Sequence, residues 1–280
     1  MKEIDLFVLP KILPKTIICC ENRSLLLAAL PFIDPNTKVL WLPHGLSDKG
    51  LQRPYFELLK TESLLLIYGQ LIKERLIAKN IHIPTLYIGN FRAEYFYKHR
   101  SFYEAQLDLH FGKSRYFFYA PSWDDGESSG MFWEVYPELI RTLPPHIQML
   151  IKLHPNTEIQ EGIRVEKARA AAPNNIRFVE QFPPIYPLLS RADAYLGDRS
   201  SIGYDFLHFR KPLVFTIRKQ KMLFSGGDHS LLNCGNTVFP NEIGTIFSEK
   251  FSCRADRIDA MLKIAFCASV NWKQEIWQWI

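Results

Sequence analysis

The sequence predicts an α/β protein of two Rossmann-like halves, each a parallel sheet covered by helices. Three observations lead there. Short apolar runs rich in β-branched and aromatic residues alternate with helix-length segments along nearly all of the 280 residues. The alternation restarts after Gly112, so two series are present. Polar clusters follow several of the strands, and ligands of open parallel sheets bind outside the carboxyl ends of the strands. The two parallel sheets are therefore expected to face a central cleft.

The first series reads as strands over 16–20, 38–42, 64–68 and 85–88. Helices are expected over 22–30, 55–59 and 70–79, the last with Leu71, Leu76 and Ile77 turned inward, and then as one long aromatic helix over 92–109. The second series has strands over 116–119, 148–153, 176–179, 194–196 and 213–215. Its helices are expected over 132–142, 159–171 and 185–190, with a further one carrying Ile202, Phe206 and Phe209 on its apolar face. Ser225, Gly226 and Gly227 read as a loop, and a last helix over 254–270. The expected domains are 1–112, 113–262, and a Trp-rich segment over 263–280 that packs back on the first. That segment also has the Trp content of a peripheral membrane anchor, but basic residues are sparse in it.

Apolar residues make up 47% of the chain, enough for a substantial core. Net charge is +5, a mild excess that suits an acidic small molecule or an anionic membrane surface and does not call for nucleic acid. The five cysteines are odd in number and none has metal spacing, which reads as reduced thiols in a cytoplasmic protein. No basic-then-apolar leader is recognised, and no apolar run reaches the roughly 18 residues of a transmembrane helix, so any membrane contact is expected to be peripheral.

Four polar clusters fall just after expected strands: His44-Gly45, Ala120-Pro-Ser122-Trp123, His154-Pro-Asn156 and Gly197-Asp198-Arg199-Ser200-Ser201. Each alone has a plain structural account, as a satisfied histidine, a strand-ending proline or a capping serine. Together, on the carboxyl rims of parallel sheets, they suit an anionic phosphate-bearing ligand, with histidine the natural general base near neutral pH. There is no Gly-rich dinucleotide fingerprint, no P-loop, no nucleophile elbow and no metal-ligand spacing, so neither cofactor nor metal is expected.

In these residues the chain resembles the CDP-glycerol glycerophosphotransferases, the family related to teichoic acid polymerases. The resemblance rests on Trp41-Leu-Pro-His-Gly45 with Lys49, Gly89-Asn-Phe-Arg92, Tyr119-Ala-Pro-Ser-Trp123, Ile151-Lys-Leu-His-Pro-Asn156, and Asp198-Arg-Ser-Ser201 with Asp205 and Lys211-Pro212. It implies a GT-B fold and direct displacement, in which an acceptor hydroxyl attacks the β-phosphate of CDP-glycerol and CMP leaves. His44 would be the general base and His154 would sit by the pyrophosphate. Ser200 and Ser201 would hold phosphate oxygens, while Gly45, Lys49, Ser122, Lys152, Asn156, Asp198 and Arg199 would line or brace the substrate site. The implied partners are a nucleotide-activated donor and a lipid-linked or glycan acceptor, with contact to an anionic membrane and no nucleic acid. The implied location is cytoplasmic, including the inner face of the cytoplasmic membrane.

The chain departs from the family pattern at Leu46, where Thr is usual, and at Asp124, where Arg is usual. Ser122 replaces Thr, Lys152 a frequent Arg, and Arg199 a frequent Tyr. Two other functions therefore stay open: a GT-B glycosyltransferase using a nucleotide sugar, and a non-catalytic nucleotide- or glycan-binding protein.

Overall fold

Two sheets, both wholly parallel, organise the computed structural model, which describes residues 14–30, 32–48, 54–124, 130–182, 184–218, 229–248 and 252–280. Lys49 and the expected loop of Ser225, Gly226 and Gly227 lie outside the described residues. The chain divides into two compact units. The first comprises Met1–Leu46, Gly50–Phe91 and Lys263–Ile280, and the second Ser47–Lys49 and Arg92–Leu262.

Among its described residues the first unit has four strands in the order β1 (Thr16–Cys19), β2 (Lys38–Trp41), β3 (Leu64–Ile67) and β4 (Thr85–Tyr87). α1 (Arg23–Ala29) is capped by Asn22, whose side chain accepts from the Leu25 N–H at 3.0 Å. α2 is Gln70–Ala78, and Pro54–Thr61 forms a 3-10 helix. Every residue of β3 is buried, as a central parallel strand requires. Leu40, Leu64, Leu66, Leu86 and Ile88, at period two along β2 to β4 and just beyond, form one apolar face. Trp272, Ile276 and Trp279 pack against this face.

Among the described residues the second unit has six strands in the order β10-β9-β8-β5-β6-β7. These are β5 (Tyr116–Ala120), β6 (Met149–Ile151), β7 (Ile176–Phe178), β8 (Ala192–Gly197), β9 (Leu213–Thr216) and β10 (Asn236–Val238). Its helices begin with α3 (Phe91–Lys98, all but its first residue), α4 (Arg100–Phe111), α5 (Phe132–Thr142) and α6 (Pro155–Ala170). They continue with α7 (Ile185–Arg191), α8 (Ser201–Phe206), α9 (Thr245–Ser248) and α10 (Ala255–Ala265), the last three residues of which belong to the first unit. α5 turns Phe132, Val135, Tyr136 and Leu139 into the core at helical spacing, against Tyr119, Ile151 and Phe178. The chain runs β5, β6, β7 outward on one side of β5, then returns to place β8 on the other side. β5 and β8 thus flank the topological switch point, where such sheets open a crevice.

The structure corrects several expectations. The single helix over 92–109 is two, broken at His99 (φ −114°, ψ 24°), and both Phe96 and Leu107 become buried. The boundary expected near Gly112 falls after Phe91, because Phe96 stacks on Tyr186 and meets Phe209 edge-on, which ties α3 to the second unit. α6 starts at Pro155, not 159, because His154 already serves as its cap. The last long helix stops at Ala265, and Ala268 instead forms an antiparallel bridge with Ile88. β10 had no expectation; it is three residues long, and two of the three are polar.

Candidate functional site

The second unit gathers its polar residues at the carboxyl ends of β5, β6 and β8. β5 runs out into Pro121-Ser122-Trp123 and β8 into Asp198. Asp198 is buried and accepts two hydrogen bonds from Ser122, one from its N–H to Oδ2 and one from its Oγ to Oδ1, both 2.7 Å. The two strand ends at the switch point are thereby clasped. Ser122 and Asp198 act on each other, which makes them braces of the rim.

Trp123 carries the rim from β5 to β6. Its ring stacks on His154, with centroids 6.0 Å apart and planes 27° from parallel. His154 is the N-cap of α6, and its Nδ1 accepts from the Asn156 N–H at 3.1 Å. An imidazole whose Nδ1 accepts carries its proton on Nε2. His154 is thus held as a hydrogen-bond donor at Nε2, with Pro155 at the first helical position, where a missing N–H costs nothing. Lys152, the residue after β6, is half-buried and reaches the Phe182 carbonyl at 3.5 Å. Burial lowers its pKa, and the charge of Glu158 opposes that.

Beyond Asp198 the chain turns through Arg199 and Ser200 into α8. Ser200 occupies the N-cap position (φ −83°, ψ 168°) but makes no side-chain cap. Its Oγ lies instead 3.2 Å from the Tyr195 hydroxyl, which also reaches the Ala120 carbonyl at 3.4 Å. The plain capping account of Ser200 therefore fails. The first N–H groups of α8 have no intrahelical acceptor and carry the positive end of the helix dipole. Gly197 makes this geometry possible: a Cβ there would sit 2.1 Å from the Tyr195 oxygen. Burial, and then the charge of Asp198, push the Tyr195 pKa upward, so it acts as a neutral hydroxyl.

Ser122, Lys152, His154, Asn156, Asp198, Arg199, Ser200 and Ser201 are thus brought to one rim, at the ends of three strands adjacent in the sheet. His44 and Gly45 belong to the first unit, in the turn after β2; His44 is exposed, and the buried Tyr68 donates to the neighbouring Pro43 carbonyl at 2.6 Å. Lys49 lies outside the described residues. Further contributors were not singled out from the sequence as site residues. Trp123 was quoted only within a motif. Tyr195 could have been suspected from its place two before Gly197, on the same strand face. Arg92 and Asp205 pair at 3.0 Å, and Tyr186 donates to the same carboxylate oxygen at 2.7 Å. Lys211, quoted for its motif, donates to the Ser190 and Ala192 carbonyls at 2.6 and 2.5 Å and so closes the C-terminal end of α7.

Among the described residues no group of three or more His, Cys, Asp or Glu is placed to hold a metal ion. None of their helices is long and apolar enough to cross a membrane.

These two parallel-sheet units define a GT-B-like α/β protein. The model of the CDP-glycerol:poly(glycerophosphate) glycerophosphotransferase family matches residues 94–222, which hold the whole rim just described. The resemblance seen in the sequence motifs is borne out over that span. A variant of the wall teichoic acid polymerase TagF is similar in structure, with a TM-score of 0.64 at 15% identity, covering 94% of this chain and 71% of that one. A TagF variant soaked with CDPG gives 0.63 at 15% identity, covering 94% and 70%. The UDP-GlcNAc 2-epimerase of Neisseria meningitidis, bound to UDP-GlcNAc, gives 0.60 at 16% identity, covering 98% and 78%. At such identities the structural likeness establishes the fold. None of the curated proteins compared matches the chain in sequence.

Proposed function

We propose that the chain transfers glycerol phosphate, or a related phosphopolyol, from CDP-glycerol to a hydroxyl of a cell-envelope acceptor, without a cofactor or metal. The family match and the likeness to TagF support a glycerophosphotransferase-like role. The observation that carries the reading is the clasped switch point: Asp198 on Ser122, with Ser200 turned to Tyr195 and His154 fixed as an Nε2 donor on the same rim.

In this reading the diphosphate lies over the turn before α8. Ser200, Ser201 and the first N–H groups of α8 meet phosphate oxygens, and Lys152 and Arg199 supply positive charge. His154 donates from Nε2 to the oxygen that becomes the leaving phosphate of CMP. Its charge there grows as the bond to the β-phosphorus breaks, so this contact strengthens in the transition state. His44 takes the proton of the attacking hydroxyl, Gly45 lets the backbone approach it, and Lys49 and Asn156 complete the substrate contacts. Positioning and charge stabilisation supply most of the rate, as in other phosphoryl transfers. The acceptor is lipid-linked or glycan. Contact with an anionic membrane belongs to the same proposal; the exposed Tyr95, Phe102 and Leu109 beside Lys98 and Arg100 suit it.

Purified protein given CDP-glycerol and envelope acceptors is expected to release CMP, and His44→Ala to abolish release. Nucleoside diphosphate released from a nucleotide sugar would replace this reading with a glycosyltransferase. Donor binding with no turnover of any donor would make the chain a binding protein.

A further inference from the structure

Ser47 and Asp48 belong to the second unit, although the residues just before them do not. The Ser47 hydroxyl donates to the Arg199 carbonyl at 3.1 Å. Asp48 accepts from the Tyr204 hydroxyl at 2.5 Å through Oδ1. Through Oδ2 it accepts from the Leu231 N–H at 2.9 Å and the Ser230 Oγ at 3.2 Å. Arg199 immediately precedes Ser200, and Tyr204 lies one helical turn further on. The two hydrogen bonds therefore hold both ends of the short stretch that carries Ser200 and Ser201.

The seat under this stretch is rigid as well. Leu231 is fully buried and packs so close to α8 that a Cβ on Gly203 would lie 2.8 Å from its Cδ2. Ser230 caps the 3-10 turn that follows it, accepting from the Leu232 N–H at 3.3 Å. A carboxylate receiving three donors makes charge-assisted bonds, stronger than those between neutral groups. α8 has only six residues and cannot supply such rigidity alone.

We propose that Ser47 and Asp48 are positioning residues that preset the Arg199–Ser201 turn for a phosphate group of the nucleotide donor. This rests on the reading of that turn as the phosphate site. A turn whose N–H groups and hydroxyls already converge binds an anion without the cost of ordering them. The hydroxyl of Ser47 also gives one departure from the family pattern a consequence. Thr is usual at the position of Leu46; here the hydroxyl stands one residue later and is directed to the Arg199 carbonyl.

The test uses the full chain as wild type, Ser47→Ala, Ser47→Thr and Asp48→Asn. Amide hydrogen exchange without ligand reads the turn itself. Exchange over 199–204 is expected to rise about tenfold in Asp48→Asn and less in Ser47→Ala, with β5, β6 and β7 unchanged. Equal protection in all four proteins overturns the proposal. CMP titration then reads function. Affinity is expected to fall about tenfold in Asp48→Asn, and in Ser47→Ala to a degree that Ser47→Thr restores. With CDP-glycerol, KM rises while kcat holds. A looser turn with unchanged CMP affinity overturns the positioning role. If wild type binds no cytidine nucleotide, the donor reading of the turn fails and the positioning role with it, while exchange still decides the bracing. Should Asp48→Asn not fold, Ser47→Ala carries both measurements.

Discussion

Asp198 and Ser122 stand 76 residues apart in sequence and meet through two hydrogen bonds of 2.7 Å, because β5 and β8 are neighbours in the sheet. Replacing Asp198 by Ala leaves the buried N–H and hydroxyl of Ser122 without this acceptor. The expected loss is about 1–3 kcal/mol in urea unfolding, with Ser122→Ala at the lower end because only the hydroxyl bond goes. Unchanged stability in both variants would remove the clasp from the account of the rim.

Gly197 is predicted to be intolerant of a side chain for a reason that Tyr195 sets. A methyl group there would overlap the phenol, and Tyr195 is fully buried with no room to swing aside. Gly197→Ala should cost about 1–3 kcal/mol in thermal or urea unfolding. Adding Tyr195→Leu removes the clashing oxygen and ring edge, so the double variant should lose less than the sum of the two single losses. Simple additivity would show that the two residues do not collide.

His208 gives the fold an acid limit. Burial first, then the positive charges of Arg210 and Arg92, hold its imidazole down at about 4, against 6.5 for an unperturbed histidine. The unfolded chain takes up this proton near pH 6.5 and the folded chain only near 4. The contribution is therefore complete above pH 6.5 and lost as pH falls through that window. At most it amounts to about 3 kcal/mol. Urea unfolding from pH 7 to pH 4.5 should show a shallower decline in His208→Gln than in wild type; parallel curves would refute the assignment.

His154 both caps α6 and faces the rim, and one substitution separates the two. Asparagine is a good cap but has no imidazole ring. His154→Asn should therefore stay within about 1 kcal/mol of wild-type stability, while CMP release from CDP-glycerol falls by about a hundredfold or more. Retained activity in a stable His154→Asn protein would leave His154 as a capping residue only.

The fold was legible where periodicity is local. β3 and β5 are short, wholly apolar and bounded by turn residues, and α5 repeats its apolar positions at helical spacing; each forms close to where it was expected. The break at His99 was not legible, since the aromatic pattern of 92–109 continues across it and the cause lies with Tyr186 and Phe209, far along the chain. β10 was missed because Asn236 and Thr237 hide a strand whose partner among the described residues is β9. In the site, the strand-end clusters placed His154, Asp198 and Ser200 on a rim, yet nothing local distinguishes a brace from a ligand contact. That Asp198 faces Ser122, and that Asp48 faces Tyr204, follows from strand order and loop paths that no short window contains.

The first sheet is finished by residues made after the strands of the second. The Cys267 N–H donates to the Tyr68 carbonyl at 3.0 Å and the Ser269 N–H to the Tyr87 carbonyl at 2.8 Å. Thr16 in the edge strand β1 donates to the Trp279 carbonyl at 3.1 Å. During synthesis, then, the first unit stays incomplete until Trp279 has emerged, while Arg92–Leu262 already carries the six described strands of the second sheet. The earlier-made half must wait with an apolar sheet face uncovered, the state in which nascent chains recruit chaperones. Released chains truncated after Leu262 should resist protease across Arg92–Leu262 and be cut within 14–91; protection of 14–91 at that length would show that the first sheet closes without the final segment.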